Sequence, residues 1–156
     1  MIIIQNGHVI DPKSHIDAIM DLIIEQNKII AMGFGISQKF LSQPSTDESS
    51  DTILIDADGL VVAPGLIDVH VHFRDPGLTY KEDIHTGARA AAKGGFTTVI
   101  CMANTKPPVD NVETLEYILT EGKKTGIHVL PAAAITVGMK GEELTDMHLL
   151  KQHGAV

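Results

Sequence analysis

The sequence has little cysteine, a shortage of basic side chains and no long apolar segment. Its single cysteine, Cys101, excludes a disulfide within the chain and is compatible with a reducing compartment. The 12 Lys and Arg residues face 20 Asp and Glu residues, and the net charge of −8 disfavours nucleic acid and anionic membranes as partners. No apolar run approaches the roughly 18 residues of a membrane span, and the apolar start at residues 1–4 is too short for a signal peptide. These properties predict a cytoplasmic protein with neither a nucleic-acid nor a membrane partner.

What is present is a globular composition with two different patterns along the chain. Apolar residues make up 44% and charged residues 21% of the 156 positions, which argues against wholesale disorder. Residues 1–63 contain short apolar runs in pairs around turn dipeptides, which predict three hairpins and a small sheet. The three dipeptides are Asn6-Gly7, Gln26-Asn27 and Asp58-Gly59. Residues 37–51 are rich in Ser, Gln, Asp and Thr, and they predict a flexible loop.

Residues 64–156 alternate between strand and helix patterns. Strands are predicted at 64–74, 96–102 and 127–135, with an early end or irregularity at Pro131 because proline lacks a ladder donor. Helices are predicted between and after them, with caps at Thr79 and Asp110 and a third helix ending at Gly154. Ala155 and Val156 look like the opening of a fourth strand. Repeated strand and helix units with short turns predict an α/β fold with a parallel sheet.

The strand predicted at 64–74 carries a group of polar side chains at every second position. Asp68, His70, His72 and Arg74 should point one way, and the apolar residues between them the other way. Two imidazoles on one face can share a metal ion, an arginine beside them suits a carboxylate, and Asp68 could accept a ring N–H or contact the metal site. Ordinary interior or surface histidines explain a lone His-x-His pair equally well, because two ligands are too few for a closed site.

Several ordered motifs favour the metal interpretation. They are His70-Val71-His72-Phe73-Arg74-Asp75-Pro76-Gly77, Tyr80-Lys81-Glu82-Asp83, Gly94-Gly95-Phe96-Thr97-Thr98 and Asn104-Thr105-Lys106-Pro107. From about Gly59 to its last residue the chain resembles bacterial-type dihydroorotase of the amidohydrolase superfamily, and residues 1–58 resemble it more loosely. The resemblance implies the amino-terminal part of a TIM-type barrel preceded by strands of a small β-sandwich. It also implies a zinc enzyme, with one or two ions, that interconverts L-dihydroorotate and N-carbamoyl-L-aspartate in pyrimidine biosynthesis.

The resemblance also assigns roles to particular residues. It implies that His70 and His72 bind the metal and that His72, Arg74 and Asn104 contact the substrate. The supporting role of Asp68 is predicted from its place on the same strand face. The other metal ligands and the catalytic acid or base lie on later strands in the family, so no catalytic residue is expected in this chain and the isolated chain should be inactive. Ala103 stands where the family usually has a proline before the asparagine, and this departure is expected to loosen the loop that presents Asn104.

Two alternatives compete with dihydroorotase. A dihydropyrimidinase or allantoinase would share the His-x-His pair, but their substrates lack the carboxylate that Arg74 would grip. A non-catalytic dihydroorotase-like scaffold that accompanies aspartate transcarbamoylase would have no need of both His70 and His72. The expected partner is a small-molecule substrate, with a homo-oligomer or aspartate transcarbamoylase as a possible protein partner.

Overall fold

The computed structural model describes residues 1–42 and 52–156 and divides into two compact units. The first unit is Met1–Pro64 and the second is Gly65–Val156, so the division falls one residue from the boundary proposed from the sequence. Within the described residues no helix is both long and apolar enough to cross a membrane. The assignment of residues 1–63 to a β-sandwich domain stays a prediction.

The first unit is a five-stranded sheet with one short helix. Its elements are β1 (Ile2–Asp11), β2 (Ile16–Glu25), β3 (Lys28–Gly33), α1 (Ser37–Leu41), β4 (Ile53–Asp56) and β5 (Val61–Val62). The order is β3-β2-β1-β4, and β5 also pairs with β1. The predicted hairpin at Gln26-Asn27 is confirmed, because these two residues, with φ of 48° and 61°, join the antiparallel strands β2 and β3.

The hairpin predicted at Asn6-Gly7 is wrong, since residues 2–11 form one strand. The pairing of β1 with β2 shifts register between Ile4 and Gly7, so the dipeptide forms an irregularity inside the strand. Asn6 has a φ of 61°, and its N–H donates to Asp21 Oδ1 at 2.9 Å instead of joining the ladder. A turn dipeptide therefore serves here as a bulge.

Two further predictions for this unit are corrected. The runs around Asp58-Gly59 do not form a hairpin, because β4 and β5 each pair in parallel with β1. The loop predicted at 37–51 begins instead with α1, whose first N–H, that of Ser37, donates to Asp21 Oδ2 at 2.9 Å. The remainder of that predicted loop, residues 43–51, lies outside the described residues.

The second unit is a three-stranded parallel sheet with helices. Its elements are β6 (Leu66–Val71), α2 (Ile84–Lys93), β7 (Phe96–Cys101), α3 (Val112–Gly122), β8 (His128–Pro131), a 3₁₀ turn (Val137–Met139) and α4 (Met147–Gln152). The strand order β6-β7-β8 and the parallel pairing confirm the predicted α/β fold class. The third strand ends at Pro131, as its missing N–H predicts. The N–H of Val156 donates to the Pro131 carbonyl at 3.1 Å, so the last residue runs beside the end of β8.

The helix caps lie elsewhere than predicted. Asp83, and not Thr79, caps α2 by accepting the N–H of Thr86 at 2.7 Å. Asn111, and not Asp110, caps α3, while Asp110 accepts the N–H of Gly138 at 2.7 Å. Sequence spacing identified the helices but placed each cap one or more residues early, because several neighbouring side chains in each turn can act as acceptors.

The core of the second unit lies around β7, β8 and the helices. Helices α2 and α3 pack on β7 and β8, and their buried side chains include Ile84, Leu115 and Ile118. The apolar face predicted for β6 is not covered within the described residues, since Ile67 and Val69 are 63% and 64% exposed. Beyond the end of β6, Phe73 is buried and rests on the helix α2.

Candidate active site

The carboxyl ends of β6 and β7 lie side by side, and the residues that follow them form the candidate site. Val71, the last residue of β6, pairs with Cys101, the last residue of β7, and the N–H of Met102 donates to the Val71 carbonyl at 2.9 Å. His72 therefore leaves the sheet next to the segment that contains Asn104. Parallel strands place their carboxyl ends at one edge, where barrel enzymes of this architecture carry their chemistry.

The two histidine rings lie together on one side of the chain. The ring centroids of His70 and His72 are 5.1 Å apart, the ring planes are inclined by 65°, and both residues are exposed. Rings on opposite sides of an extended strand would be much further apart. The arrangement allows one cation to approach a nitrogen atom of each ring.

Asn104 orients the second of these rings. Nδ1 of His72 lies 2.8 Å from Oδ1 of Asn104. An amide oxygen only accepts, so in the neutral ring this contact requires the proton on Nδ1 and leaves the lone pair on Nε2. Metal-binding histidines are commonly fixed in this way by an acceptor on the far nitrogen. The family resemblance implies that Asn104 contacts the substrate, which stays a prediction, and the structure shows its contact with His72.

Asp68 contacts the backbone and not a ring. Its Oδ1 accepts the N–H of His70 at 2.9 Å, two residues further along the strand. Within residues 1–42 and 52–156, its carboxylate makes no hydrogen bond to either imidazole of the pair. Asp68 thus supports the strand that carries His70, and its expected contact with a ring N–H or with the metal site stays a prediction.

The chemistry of this pair fits a metal ion that has further ligands. In the part of the chain that the structure describes, no group of three or more His, Cys, Asp or Glu side chains is arranged to hold a metal. Structural zinc sites take four protein ligands and catalytic sites about three, so His70 and His72 would supply part of a coordination shell.

Arg74 has an unusual backbone conformation directly after the histidines. Its φ is 62°, in the left-handed region, which for a non-glycine residue costs about 1–3 kcal/mol and persists only where its surroundings enforce it. The Arg74 carbonyl accepts the N–H of Leu78 at 2.9 Å, closing a tight turn. Across residues 1–42 and 52–156, no Asp or Glu carboxylate forms an ion pair with the Arg74 guanidinium. The guanidinium is thus available to an external anion.

The loops after β6 and β7 are packed tightly against each other. The Lys106 N–H donates to the Pro76 carbonyl at 3.0 Å. Gly77 has a φ of 84°, and a Cβ placed on it would lie 1.8 Å from the Lys106 carbonyl oxygen. Only glycine, which has no Cβ, fits so close to the Lys106 carbonyl.

The loop after β7 is also bonded within itself. The carbonyl of the buried Ala103 accepts the N–H groups of Thr105 and Val109, at 2.9 and 3.0 Å. Ala103 stands where the family usually has a proline, and these bonds hold the segment that contains Asn104. The expectation that Ala103 loosens this loop stays a prediction, and these bonds argue against a large effect.

The sequence did not identify the part played by Asp75 and Tyr117. Asp75 is 6% exposed; its Oδ1 accepts the Tyr117 hydroxyl at 3.0 Å and its Oδ2 accepts the N–H of Ile84 at 3.3 Å. Burial of the hydroxyl, together with its bond to Asp75, raises the pKa of Tyr117 to about 12. The turn-forming sequence Asp75-Pro76-Gly77 was the only local signal, and nothing in it points to a tyrosine 42 residues away.

Other histidines of this unit form surface pairs with glutamates. His85 Nε2 lies 3.0 Å from Glu121 Oε2, and His153 Nδ1 lies 2.8 Å from Glu116 Oε1. Each pair joins α3 to a neighbouring element. Exposed pairs of this kind contribute little to stability.

Comparison with known proteins identifies the family. A sequence model described as "Dihydro-orotase-like" matches residues 59–156, which is more than half of the chain. The chain belongs to the dihydroorotase-like family. It is 59% identical over 155 residues to a dihydroorotase of Clostridioides difficile (strain 630), covering 99% of this chain and 34% of that protein. It is 51% identical over 156 residues to a dihydroorotase of Streptococcus pneumoniae serotype 4, covering 100% of this chain and again 34% of the other protein.

Solved structures support the fold assignment. The chain is similar to the L-hydantoinase (dihydropyrimidinase) from Arthrobacter aurescens with a TM-score of 0.66 and 23% identity, covering 99% of this chain and 31% of that one. At this level of identity the likeness concerns the fold alone, and it confirms the predicted fold class. The chain spans about a third of the length of the dihydroorotases that it matches.

Proposed function

We propose that this chain provides the metal-binding and carboxylate-binding edge of a cytoplasmic dihydroorotase. The enzyme would interconvert L-dihydroorotate and N-carbamoyl-L-aspartate by reversible hydrolysis of the ring amide, a step of pyrimidine biosynthesis. The observation that carries the proposal is the arrangement of His70, His72 and Asn104 at the carboxyl ends of β6 and β7. Arg74 follows two residues on and has no ion-pair partner among the described residues. The identities of 59% and 51% to dihydroorotases support the choice of substrate.

His70 and His72 are the residues that would hold the metal, which we propose to be one or two zinc ions. Zinc supplies Lewis-acid chemistry, which polarises an amide carbonyl and lowers the pKa of water. By accepting at Nδ1 of His72, Asn104 would keep the ring proton there and leave Nε2 as a neutral ligand for the cation. The remaining ligands and the group that moves the proton would come from chain outside these residues.

Arg74 would select the substrate by its charge. Its planar guanidinium can accept a carboxylate in a bidentate fashion, and it has no internal partner among the described residues. Dihydroorotate carries a ring carboxylate, whereas dihydrouracil does not. The side-chain amide of Asn104, with an acceptor and donors, would add a second polar contact to the same molecule.

The proposal is tested by a chimera. Residues 1–156 replace the 155-residue matching segment of the Clostridioides difficile dihydroorotase, and the product is assayed for zinc content and for hydrolysis of dihydroorotate and dihydrouracil. We expect hydrolysis of dihydroorotate and loss of bound zinc when His70→Ala and His72→Ala are combined. The isolated 156-residue chain should show no turnover.

Three results would count against the proposal. A folded, zinc-loaded chimera that hydrolyses dihydrouracil in preference to dihydroorotate would favour a dihydropyrimidinase. A folded chimera that binds zinc but turns over neither compound would favour a scaffold role, such as assembly with aspartate transcarbamoylase. Zinc binding that survives removal of both histidines would remove the metal assignment.

A further inference from the structure

We propose that Asp75 and Tyr117 form a positioning pair that fixes the Arg74 turn and so sets the affinity of the site for a substrate carboxylate. The anchoring of the turn is read from the structure. The effect on affinity rests on the proposed function, because it requires that Arg74 binds the substrate.

Asp75 joins three segments of the second unit. It follows Arg74 directly, and its two carboxylate oxygens accept the hydroxyl of Tyr117 on α3 and the N–H of Ile84 at the start of α2. A buried carboxylate is unfavourable unless its oxygens are bonded, and both oxygens of Asp75 have a donor here. The pair therefore ties the turn to two helices.

The backbone of the turn is held from two sides. A φ of 62° at Arg74 must be enforced by its surroundings. On one side the turn is held by Asp75, and on the other it is held by Lys106, whose N–H donates to Pro76 and whose carbonyl abuts Gly77. The guanidinium is left without an ion-pair partner in the described part of the chain, so the fixed backbone determines where it can reach.

The donors of Asp75 also keep its carboxylate away from the neighbouring arginine. Both oxygens of Asp75 accept hydrogen bonds from Tyr117 and Ile84, and no ion pair joins Asp75 to Arg74 among the described residues. Loss of the Tyr117 hydroxyl would leave one oxygen of Asp75 without its donor. We expect the turn to become mobile and the freed carboxylate to compete for the Arg74 guanidinium.

The chain offers a matched control for the test. It contains two tyrosines, and Tyr80 is 79% exposed with its ring beside Lys81, whereas Tyr117 is the one bonded to Asp75. Tyr117→Phe and Tyr80→Phe each remove one hydroxyl and keep the ring. Asp75→Asn, which keeps the side-chain shape, is the second variant for the anchor.

The first measurement is amide hydrogen exchange on the full 156-residue chain. The reporters are Leu78, whose N–H closes the turn on Arg74, and Lys106, whose N–H closes it on Pro76. We expect Tyr117→Phe and Asp75→Asn to speed exchange at both amides by about tenfold, and Tyr80→Phe to change it by less than about twofold.

The second measurement is the kinetics of the chimera described above. Tyr117→Phe should raise KM for dihydroorotate by about tenfold, with kcat within about threefold and zinc content unchanged, and Tyr80→Phe should leave both constants as they are. A purely structural role would lower the unfolding midpoint without this selective rise in KM.

The outcomes separate the inference from the proposed function. Exchange at Leu78 and Lys106 that is the same in Tyr117→Phe, Asp75→Asn and Tyr80→Phe overturns the anchor. Faster exchange with unchanged KM overturns the positioning role. An unsubstituted chimera that is folded but inactive contradicts the proposed function and with it the effect on affinity, while the anchor is still decided by exchange alone.

Discussion

The two units each contain a buried aspartate beside a non-glycine residue with a positive φ. In the first unit Asp21, 3% exposed, accepts the N–H groups of Asn6 and Ser37, and Asn6 has a φ of 61°. In the second unit Asp75, 6% exposed, follows Arg74, whose φ is 62°. Each carboxylate fixes a stretch of backbone that is not fixed by the hydrogen bonds of regular secondary structure.

The donors of the two aspartates differ, and so do the consequences. Asp21 is bonded to two backbone N–H groups, at a strand bulge and at the start of α1, so its role is confined to the fold. Asp75 is bonded to a side-chain hydroxyl as well as to a backbone N–H, and it adjoins an arginine with no internal partner among the described residues. A buried aspartate thus holds irregular backbone in both units, and in the second unit we propose that it also positions a charged side chain.

The largest effect is expected from the tight contact of the turn after β6. Gly77→Ala should lower the free energy of unfolding by about 3 kcal/mol or more, because the new Cβ would overlap the Lys106 carbonyl and φ is 84°. Gly95 has a nearly equal φ of 83°, but a Cβ added there would meet nothing within 4 Å, so Gly95→Ala should cost only about 1 kcal/mol. If Gly77→Ala and Gly95→Ala lower the free energy of unfolding by the same amount in urea denaturation, the contact of Gly77 with the Lys106 carbonyl is unimportant.

A smaller loss is expected from the aspartate of the first unit. Asp21→Asn replaces one acceptor by an NH₂ group that cannot bond the N–H of Asn6 or Ser37, and it should cost about 2 kcal/mol. Asp17→Asn on the same strand is the control, because Asp17 is exposed and forms a surface pair with His8, and it should change stability by less than about 0.5 kcal/mol. Thermal unfolding of the wild type, Asp21→Asn and Asp17→Asn measures the two losses of stability. Equal losses in the two variants would show that Asp21 does not fix the bulge.

The effect of Asp21 should also depend on pH. Burial alone would raise its pKa, but the N–H donors of Ser37 and Asn6 outweigh burial and lower the pKa below its usual value. A carboxyl whose pKa is lowered on folding stabilises the protein above its unfolded value of about 3.9, and this contribution is lost as the pH falls through the folded value. The stability difference between wild type and Asp21→Asn should therefore shrink on acidification below about pH 4. A difference that stays constant from neutral pH to this range would contradict the assignment.

The smallest effect on stability is expected from the second unit's tyrosine. Tyr117 is 41% exposed, so Tyr117→Phe should cost only about 1 kcal/mol, less than Asp21→Asn.

In an absorbance titration of the folded chain, the step near pH 12 should vanish in Tyr117→Phe and remain in Tyr80→Phe. Because the raised pKa favours the neutral phenol in the folded state, its contribution is present below the unfolded value of about 10 and is lost as the pH rises to about 12. A Tyr117 that ionises near pH 10 would contradict the bond to Asp75.

Local sequence was sufficient for the parallel sheet and for the histidine pair. The alternation around His70 and His72 identified a strand, and the strand ends at Val71 with both rings on one side. Glycines after the helical stripes and Pro131 in the third strand marked where elements stop. These features depend on residues that are neighbours in the chain.

Apart from the helix caps, the predictions that failed concern contacts between residues far apart in the sequence. Asn6-Gly7 suits a hairpin turn, but an acceptor on Asp21, 15 residues away, makes it a bulge within a strand. The bonds of Asp75 to Tyr117 and of His72 to Asn104 span 42 and 32 residues. Such contacts leave no periodic signal in a single sequence, so the motifs supplied candidate site residues but not the hydrogen bonds between distant ones.

The most direct test of the metal site is a zinc titration of the chain followed by NMR of the imidazole nitrogens. Of the eight histidines, His70 and His72 should respond first, with zinc on Nε2 of His72 and its Nδ1–H still bonded to Asn104. His85 and His153, paired with glutamates on the surface, serve as internal references. Equal response at all histidines, or a first response at the His85 or His153 pair with none at His70 and His72, would contradict the account.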